Sequence, residues 1–288
     1  MGQKRRLKLT AALETKMTSL LATSLALLSQ VDFTRAALVQ NGEGNGALNI
    51  SLNAEGCGEA MASKFVDVVA PENVVVAQNP WVVLLSIRMA DTQATCSGTI
   101  VTGKHIVTNA QCLTREGATP RSVTVFYSTS EKYRGYRVDS PFIRSMYVRP
   151  VCIPVEPLDI EGRYVIVAGW GQEDRTRRPQ KTMYTTVVKV APESVCRVPY
   201  KRFGFNGTVM LCAKRVDNNY CESDTGGPAV TAAVNGRFYL VGLLSYTTSC
   251  GSQNDRIYPS IFTKVAVFQP WIAQSVAATA DKYMMLME

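Results

Sequence analysis

Short runs of β-branched and aromatic residues, separated by turn residues, recur along the chain from residue 74 to residue 262. Runs of this length and composition are typical of strands in an all-β sandwich or barrel. The runs are Val74–Val76, Trp81–Leu85, Ile106–Val107, Val123–Phe126, Tyr164–Val167, Thr185–Val188, Phe238–Val241 and Ile261–Phe262. The segment Phe268–Lys282 differs, because Pro270 stands near its start and alanines follow, and this pattern predicts a C-terminal helix.

Eight cysteines and a single histidine limit the chemistry of the chain. Among 288 residues no Cys-x-x-Cys pair occurs, so the cysteines predict disulfides and an oxidising compartment rather than a metal site. His105 alone cannot build a zinc site from two or three imidazoles, and any mechanism with a histidine base would have to use it. We therefore expect neither a metal nor another cofactor.

The N-terminal residues 1–36 have the order of a secretory signal peptide, basic first and then apolar over Met17–Ser29. The apolar run is shorter than the about 20 residues that span a bilayer, and a buried or amphipathic helix is the alternative interpretation. Removing residues 1–36 lowers the formal net charge from +8 to +4, which gives little support to a nucleic-acid partner. The sequence thus predicts a secreted, extracellular protein with no membrane span.

Two sequons, Asn49-Ile-Ser51 and Asn206-Gly-Thr208, become usable for N-glycosylation in the secretory compartment. The first lies in a stretch from Gln40 to Ala62 that is rich in Gly, Asn, Ala and Ser. This composition predicts a flexible leader, and the leader carries one cysteine, Cys57.

Two stretches carry a specific family resemblance. The first is Cys96–Cys112, which begins Cys-Ser-Gly-Thr and has Gln111 directly before its second cysteine. It resembles the first-barrel signature of trypsin- and chymotrypsin-like serine proteases. Cys221–Pro228, which reads Cys-Glu-Ser-Asp-Thr-Gly-Gly-Pro, resembles their nucleophile loop. Further landmarks resemble the family in the same order: Pro80–Trp81, Val151–Pro154, Gly169–Gly171, Ser260–Val265 and Trp271–Ile272. The Cys-Ser-Gly-Thr motif and the leader with Cys57-Gly58 are most similar to those of arthropod extracellular proteases.

The resemblance implies an all-β fold of two antiparallel six-stranded Greek-key barrels with a short C-terminal helix. Together with the N-terminal pattern, it divides the chain into a signal peptide over 1–36, a flexible leader over 37–64, a trypsin-like domain over 65–275 and a C-terminal tail over 276–288. It also implies four disulfides that use every cysteine: Cys96–Cys112, Cys196–Cys212, Cys221–Cys250 and Cys57–Cys152.

The chain departs from the family at each catalytic position. The family's histidine directly precedes the second cysteine of the first motif, where this chain has Gln111, and an amide cannot act as a general base. His105 lies in a predicted surface turn away from the family's cleft. Thr225 replaces the nucleophilic serine, and Ser223 replaces a glycine whose N–H helps to form the oxyanion hole.

The strand that carries the family's aspartate has no counterpart in the sequence. Only 38 residues separate Cys112 from Val151, fewer than the family usually has, and Asp139 is not followed by an apolar run. We therefore expect a shortened first barrel with an unpaired edge. A splice variant or a faulty gene assembly is the alternative explanation.

The specificity pocket and the zymogen switch are changed as well. The two pocket glycines of the family align with Thr247 and Ser260, whose side chains should narrow the pocket, and Asn219 stands at its base in place of a counter-charge for a basic substrate. Asp224, which pairs with the new N-terminus in the family, is retained, but the residues after the candidate cleavage site at Lys64 contain no Gly-Gly.

These departures favour a secreted, non-catalytic serine protease homologue that binds extracellular proteins, such as proteases or their zymogens, as cofactor, decoy or regulator of a proteolytic cascade. One alternative is a weakly active or incompletely assembled serine endopeptidase. The other is a structural or adhesive secreted glycoprotein.

Overall fold

The computed structural model describes most of the chain after residue 51. The described residues are 52–61, 71–114, 118, 120–134, 136–137, 142, 144–173, 178–179, 181–216, 220–222, 225–247 and 258–284. The expected signal peptide and several predicted site residues lie outside these ranges: Asn49, Lys64, Asp139, Asn219, Ser223, Asp224 and Cys250.

The first lobe is an open antiparallel sheet. Its strands are β1 (Val82–Arg88), β2 (Gln93–Ile100), β3 (Ile106–Val107), β4 (Ser122–Tyr127) and β5 (Tyr136–Arg137), in the order β3-β2-β1-β4-β5. The apolar run at the start of β1 is buried in the centre of this sheet and pairs with β2 from Val82–Thr99 to Arg88–Gln93. Within the described residues the sheet does not close, so the expected shortening of the first barrel is confirmed.

The second lobe is a closed six-stranded barrel with the order β10-β14-β13-β12-β6-β9. Its strands are β6 (Tyr164–Gly169), β9 (Tyr184–Ala191), β10 (Met210–Arg215), β12 (Pro228–Ala232), β13 (Phe238–Tyr246) and β14 (Ser260–Lys264). Buried and outward residues alternate along β9, as expected for a strand with one face in the core. Val165, Val188, Leu211 and Phe262 belong to the buried cluster inside the barrel.

A small sheet and short helices surround the two lobes. The sheet has the order β11-β7-β8 and consists of β7 (Gln172–Glu173), β8 (Arg178–Pro179) and β11 (Tyr220–Glu222). The helices are α1 (Pro71–Gln78), α2 (Ala110–Leu113), α3 (Glu193–Arg197) and α4 (Gln269–Met284), with 3₁₀ turns at Lys201–Phe203 and Ala266–Phe268.

The expected strand at Val74–Val76 is wrong, because these valines lie in α1. Three apolar residues do not define a period, and Pro71 fits the first position of a helix. The predicted C-terminal helix is confirmed as α4. Its residues Ile272 and Val276, four apart, are both buried, and it continues to Met284 through the segment assigned to a tail.

Three of the four implied disulfides are formed. Their Cα–Cα distances are 5.0 Å for Cys57–Cys152, 6.1 Å for Cys96–Cys112 and 6.5 Å for Cys196–Cys212. The fourth implied pair, Cys221 with Cys250, is not tested because Cys250 lies outside the described residues.

Residues 52–61 are docked on the body, although their composition predicts a flexible leader. Cys57 is 1% exposed, and the Asn53 side chain binds both the N–H and the C=O of Ile153, at 2.6 and 2.8 Å. The Gly58 N–H donates to Pro150 O at 2.8 Å, and Phe238 N–H donates to Gly58 O at 2.8 Å. Composition misses this docking because the bonds are made by backbone groups and one amide, which carry no hydrophobic signal.

We predict that Gly58→Ala destabilises the fold more than Gly236→Ala. Both glycines have positive φ, +69° and +74°, so alanine at either costs about 1–2 kcal/mol of backbone strain. A Cβ at Gly58 would also collide with the backbone oxygen of Phe238, whereas a Cβ at Gly236 meets open space. The collision should add about 1–3 kcal/mol. Urea unfolding of both variants measures the difference, and equal losses would contradict the close approach at Gly58.

Candidate functional site

The predicted catalytic positions lie where the first lobe meets the closed barrel. The first lobe contributes α2 with Gln111, and the barrel contributes the turn at Thr225–Gly226 and the end of β13. Ser97 N–H donates to Thr225 O at 2.9 Å, and Cys112 Sγ lies 3.5 Å from the same oxygen. The fold therefore brings the segments of Gln111 and Thr225 together, as the resemblance implies.

Gly226 allows the barrel turn to approach the first lobe closely. Its φ of +85° is a conformation that side-chain-bearing residues rarely adopt, and a Cβ there would collide with Thr108 Oγ1 and Ser97 O. The Gly226 N–H donates to Leu244 O at 2.8 Å, and Thr108 Oγ1 donates to Ser97 O at 2.8 Å. Glycine is thus required at position 226, where the barrel turn lies against Ser97 and Thr108 of the first lobe.

Gln111 is exposed, and its amide is bound to the barrel. Gln111 Nε2 donates to the backbone oxygen of Ser245, near the end of β13, at 2.8 Å. A primary amide donates and accepts hydrogen bonds but does not exchange a proton with a nucleophile near neutral pH. The Gln111 side chain therefore joins the two lobes through this hydrogen bond.

Asn109 was not singled out from the sequence, yet its side chain makes three hydrogen bonds across the site. It is 7% exposed; its Nδ2 donates to Leu244 O and, at 3.2 Å, to Ser245 Oγ. Its Oδ1 accepts from Thr263 Oγ1 at 3.1 Å, and Thr263 Oγ1 lies 2.8 Å from Ser245 Oγ. An asparagine directly before a short helix is typical of an N-cap, but this side chain makes no cap bond and crosses to the barrel instead.

Thr247 and Ser260, the two predicted pocket positions that the structure describes, contact each other. Their hydroxyl oxygens lie 3.0 Å apart, and Ser260 is buried at the start of β14. Two hydroxyls thus meet where the resemblance implies two glycines and open space.

His105 lies in the turn between β2 and β3 and is half-buried. Thr102 Oγ1 accepts from the N–H groups of Lys104 and His105, both at 3.1 Å, so its own proton is directed to His105 Nδ1 at 2.6 Å. This bond requires a neutral imidazole. Burial, with a smaller effect of the Lys104 charge, lowers the pKa of His105 below its usual value of 6.5. The structure therefore gives His105 a local structural role.

Neither a metal centre nor a membrane-spanning helix emerges from the described part of the chain. Its His, Cys, Asp and Glu side chains form no group of three or more that could hold a metal ion. Its helices are all too short or too polar to cross a bilayer.

A half-barrel packed on a closed six-stranded barrel, with a C-terminal helix and the cysteine-linked α2 segment at their junction, defines a trypsin-like double-barrel protein. The trypsin family profile matches residues 68–139 and 136–272. The chain belongs to the trypsin family, as the sequence motifs predicted.

Its relatives include several arthropod proteases. Serine protease filzig of Drosophila melanogaster is 24% identical over 235 residues, which are 70% of this chain and 13% of filzig. Proclotting enzyme of Tachypleus tridentatus is 23% identical, over 68% of this chain and 62% of that protein. Phenoloxidase-activating factor 3 of Holotrichia diomphalia is 32% identical over 147 residues, 49% of this chain and 40% of that factor. The chain thus spans less than two thirds of each of these relatives.

The solved structure of HL collagenase has the same fold. It superimposes with a TM-score of 0.59 at 20% identity and covers 70% of this chain and 95% of its own. The predicted all-β, trypsin-like fold class is confirmed.

We predict that Asn109→Ala destabilises the protein by about 1–3 kcal/mol, because it removes three hydrogen bonds from a buried network, those to Leu244 O, Ser245 Oγ and Thr263 Oγ1. Gln111→Ala is the matched control, since an exposed side chain with one hydrogen bond should change stability by about 0.5 kcal/mol or less. Urea unfolding of both variants, with Thr263→Val and the Asn109→Ala/Thr263→Val double variant, gives the coupling energy. Additive losses would contradict a joined network.

We predict that protonation of His105 destabilises the fold. Because the pKa is lower in the folded than in the unfolded chain, the unfolded state binds more protons at mildly acidic pH. The contribution of the neutral His105 to the free energy of unfolding is complete above pH 6.5 and is lost as the pH falls through the folded-state pKa. With one histidine in the chain, its ring resonances give the folded pKa by NMR titration without ambiguity. His105→Gln should flatten the pH dependence of the free energy of unfolding below pH 6.5; an unchanged slope would refute the prediction.

Proposed function

We propose that the protein is a secreted, non-catalytic member of the trypsin family that acts by binding other extracellular proteins. The observation that carries the proposal is Gln111, at the family's histidine position, with its amide donated to Ser245 O at 2.8 Å. In a well-studied protease the loss of one triad member alone costs about 10⁴–10⁶ in rate. A substitution by glutamine therefore suffices to remove effective peptide hydrolysis.

The residue at the serine position supports the same proposal. Thr225 is a secondary alcohol whose extra methyl restricts χ1, and an internal threonine lacks the N-terminal amine that activates threonine nucleophiles. Its backbone oxygen accepts from the Ser97 N–H at 2.9 Å, and the following Gly226 lies against Thr108 and Ser97. No activating base for its hydroxyl is supplied by Gln111.

The pocket residues support binding of a protein surface rather than of a single inserted side chain. The hydroxyl contact between Thr247 and Ser260 takes up space that an inserted side chain would need, and Asn219 carries no charge to attract a basic residue.

The partner class that we propose is drawn from relatives. Proclotting enzyme and phenoloxidase-activating factor 3 are, by name, proteins of clotting and of phenoloxidase activation. We infer a role for this chain as cofactor, decoy or regulator in an extracellular cascade of that kind, with proteases or their zymogens as partners.

The decisive experiment treats the mature chain with a fluorophosphonate probe and a peptide ester, beside an active trypsin-family protease. We expect no labelling and no ester cleavage above buffer. Thr225→Ala is the matched control, because any true reaction at this site must vanish in it. Labelling at Thr225 that disappears in Thr225→Ala would overturn the non-catalytic proposal.

A second experiment tests binding by using the tagged mature chain to capture proteins from the native extracellular fluid. We expect to recover proteases or zymogens, and to recover them equally with Thr225→Ala, because binding does not need the hydroxyl. Recovery of matrix proteins alone would favour a structural or adhesive role and contradict the cascade assignment.

A further inference from the structure

The turn Asn206–Thr208, between the 3₁₀ turn at Lys201–Phe203 and β10, presents two polar side chains to solvent. Asn206 and Thr208 are exposed. Asn206 Oδ1 accepts from the Thr208 N–H at 2.9 Å, and Asn206 O accepts from the N–H groups of Val209 and Met210, at 3.2 and 2.9 Å. The side-chain amide and the threonine hydroxyl are thus held on the outside of one tight turn.

Gly207, the middle residue of the turn, holds it against the body of the protein. Gly207 is buried; its carbonyl oxygen accepts from Lys264 Nζ, and the Glu193 carboxylate fills the space that a Cβ would need. Glu193 is itself bound to Arg197 at 2.5 Å. Because the body of the protein occupies the inner side, a substituent on Asn206 can extend only outward.

Two aromatic residues precede the asparagine. Phe205 lines an apolar cavity of about 230 Å³ at the end of the barrel, so its ring is used for packing. Phe203 is 43% exposed. Its ring makes an edge-type contact with Tyr200, and the two ring centroids lie 6.1 Å apart. An aromatic face carries negative charge density, and the axial C–H bonds of a pyranose are polarised positive, so such a face is a suitable surface for a sugar.

We propose that Asn206 carries an N-linked oligosaccharide whose first sugar packs on the exposed ring of Phe203. The donor is an oligosaccharide linked to a polyprenyl pyrophosphate. The Asn206 Nδ2–C1 bond forms, the bond from C1 to the pyrophosphate oxygen breaks, and the amide loses one proton as the lipid pyrophosphate leaves. The proposal rests on the secretion that we propose for the chain and is independent of the lack of catalysis.

The site is tested by expressing the full chain in eukaryotic secretory cells and analysing the peptide that contains Asn206 by mass spectrometry after deglycosylation. We expect a glycan that is lost in Asn206→Gln and Thr208→Ala and kept in Thr208→Ser, which preserves the sequon. A secreted chain with an unmodified Asn206 would overturn the proposal. If the chain is retained in cells, the proposed secretion fails instead, and the same chain behind a heterologous signal peptide then decides the fate of Asn206.

The packing on Phe203 is tested by a thermal double-mutant cycle. We expect Phe203→Ala to lower the Tm of the glycosylated protein by about 2–4 °C more than it lowers the Tm of the Asn206→Gln variant. A loss of equal size in both backgrounds would show that Phe203 stabilises only the protein, and would refute the sugar contact.

Discussion

The contact between β2 and the turn at Gly226 joins the two lobes at the candidate site. A backbone bond from Ser97 N–H to Thr225 O crosses the junction there, and Gly226 allows the approach because it has no side chain. The Cys96–Cys112 bridge holds α2 beside this contact, so the positions of Gln111 and Thr225 follow from the packing of the lobes. The site geometry is therefore a property of the scaffold.

The chemistry at this junction is neutral in the part of the site that the structure describes. Asn109, Gln111, Ser245 and Thr263 form hydrogen bonds without a charged or titrating group. A buried network of this kind is stable only when each member has its partners, and Asn109 uses both ends of its amide for this purpose. The residues here hold the two lobes together through hydrogen bonds.

Sequence patterns predicted strands such as β1, which overlaps the apolar run Trp81–Leu85, but not β2, whose residues are mostly small and polar. They also missed the helical state of Val74–Val76, because that run is too short to show a period. The family resemblance predicted three of the disulfides that are formed. The role of Asn109 could not be predicted, because its partners Leu244 and Thr263 lie more than 130 residues away and hydrogen-bond geometry leaves no local pattern. The Cys57–Cys152 bridge implied that residues 52–61 are tied to the body, but the hydrogen bonds between Asn53 and Ile153 could not be predicted, for the same reason.

The residues that maintain this fold and the residues that would perform catalysis form separate sets. The barrel core, the bridges and Gly226 would be required whatever stands at position 111, and exposed Gln111 adds a single hydrogen bond. A double barrel can therefore exist without its proton-transfer residues at little cost in stability. What such a scaffold still provides is a rigid surface of defined shape, and rigidity lowers the entropy lost when a partner binds. The rigid double barrel is thus physically well suited to the binding role that we propose.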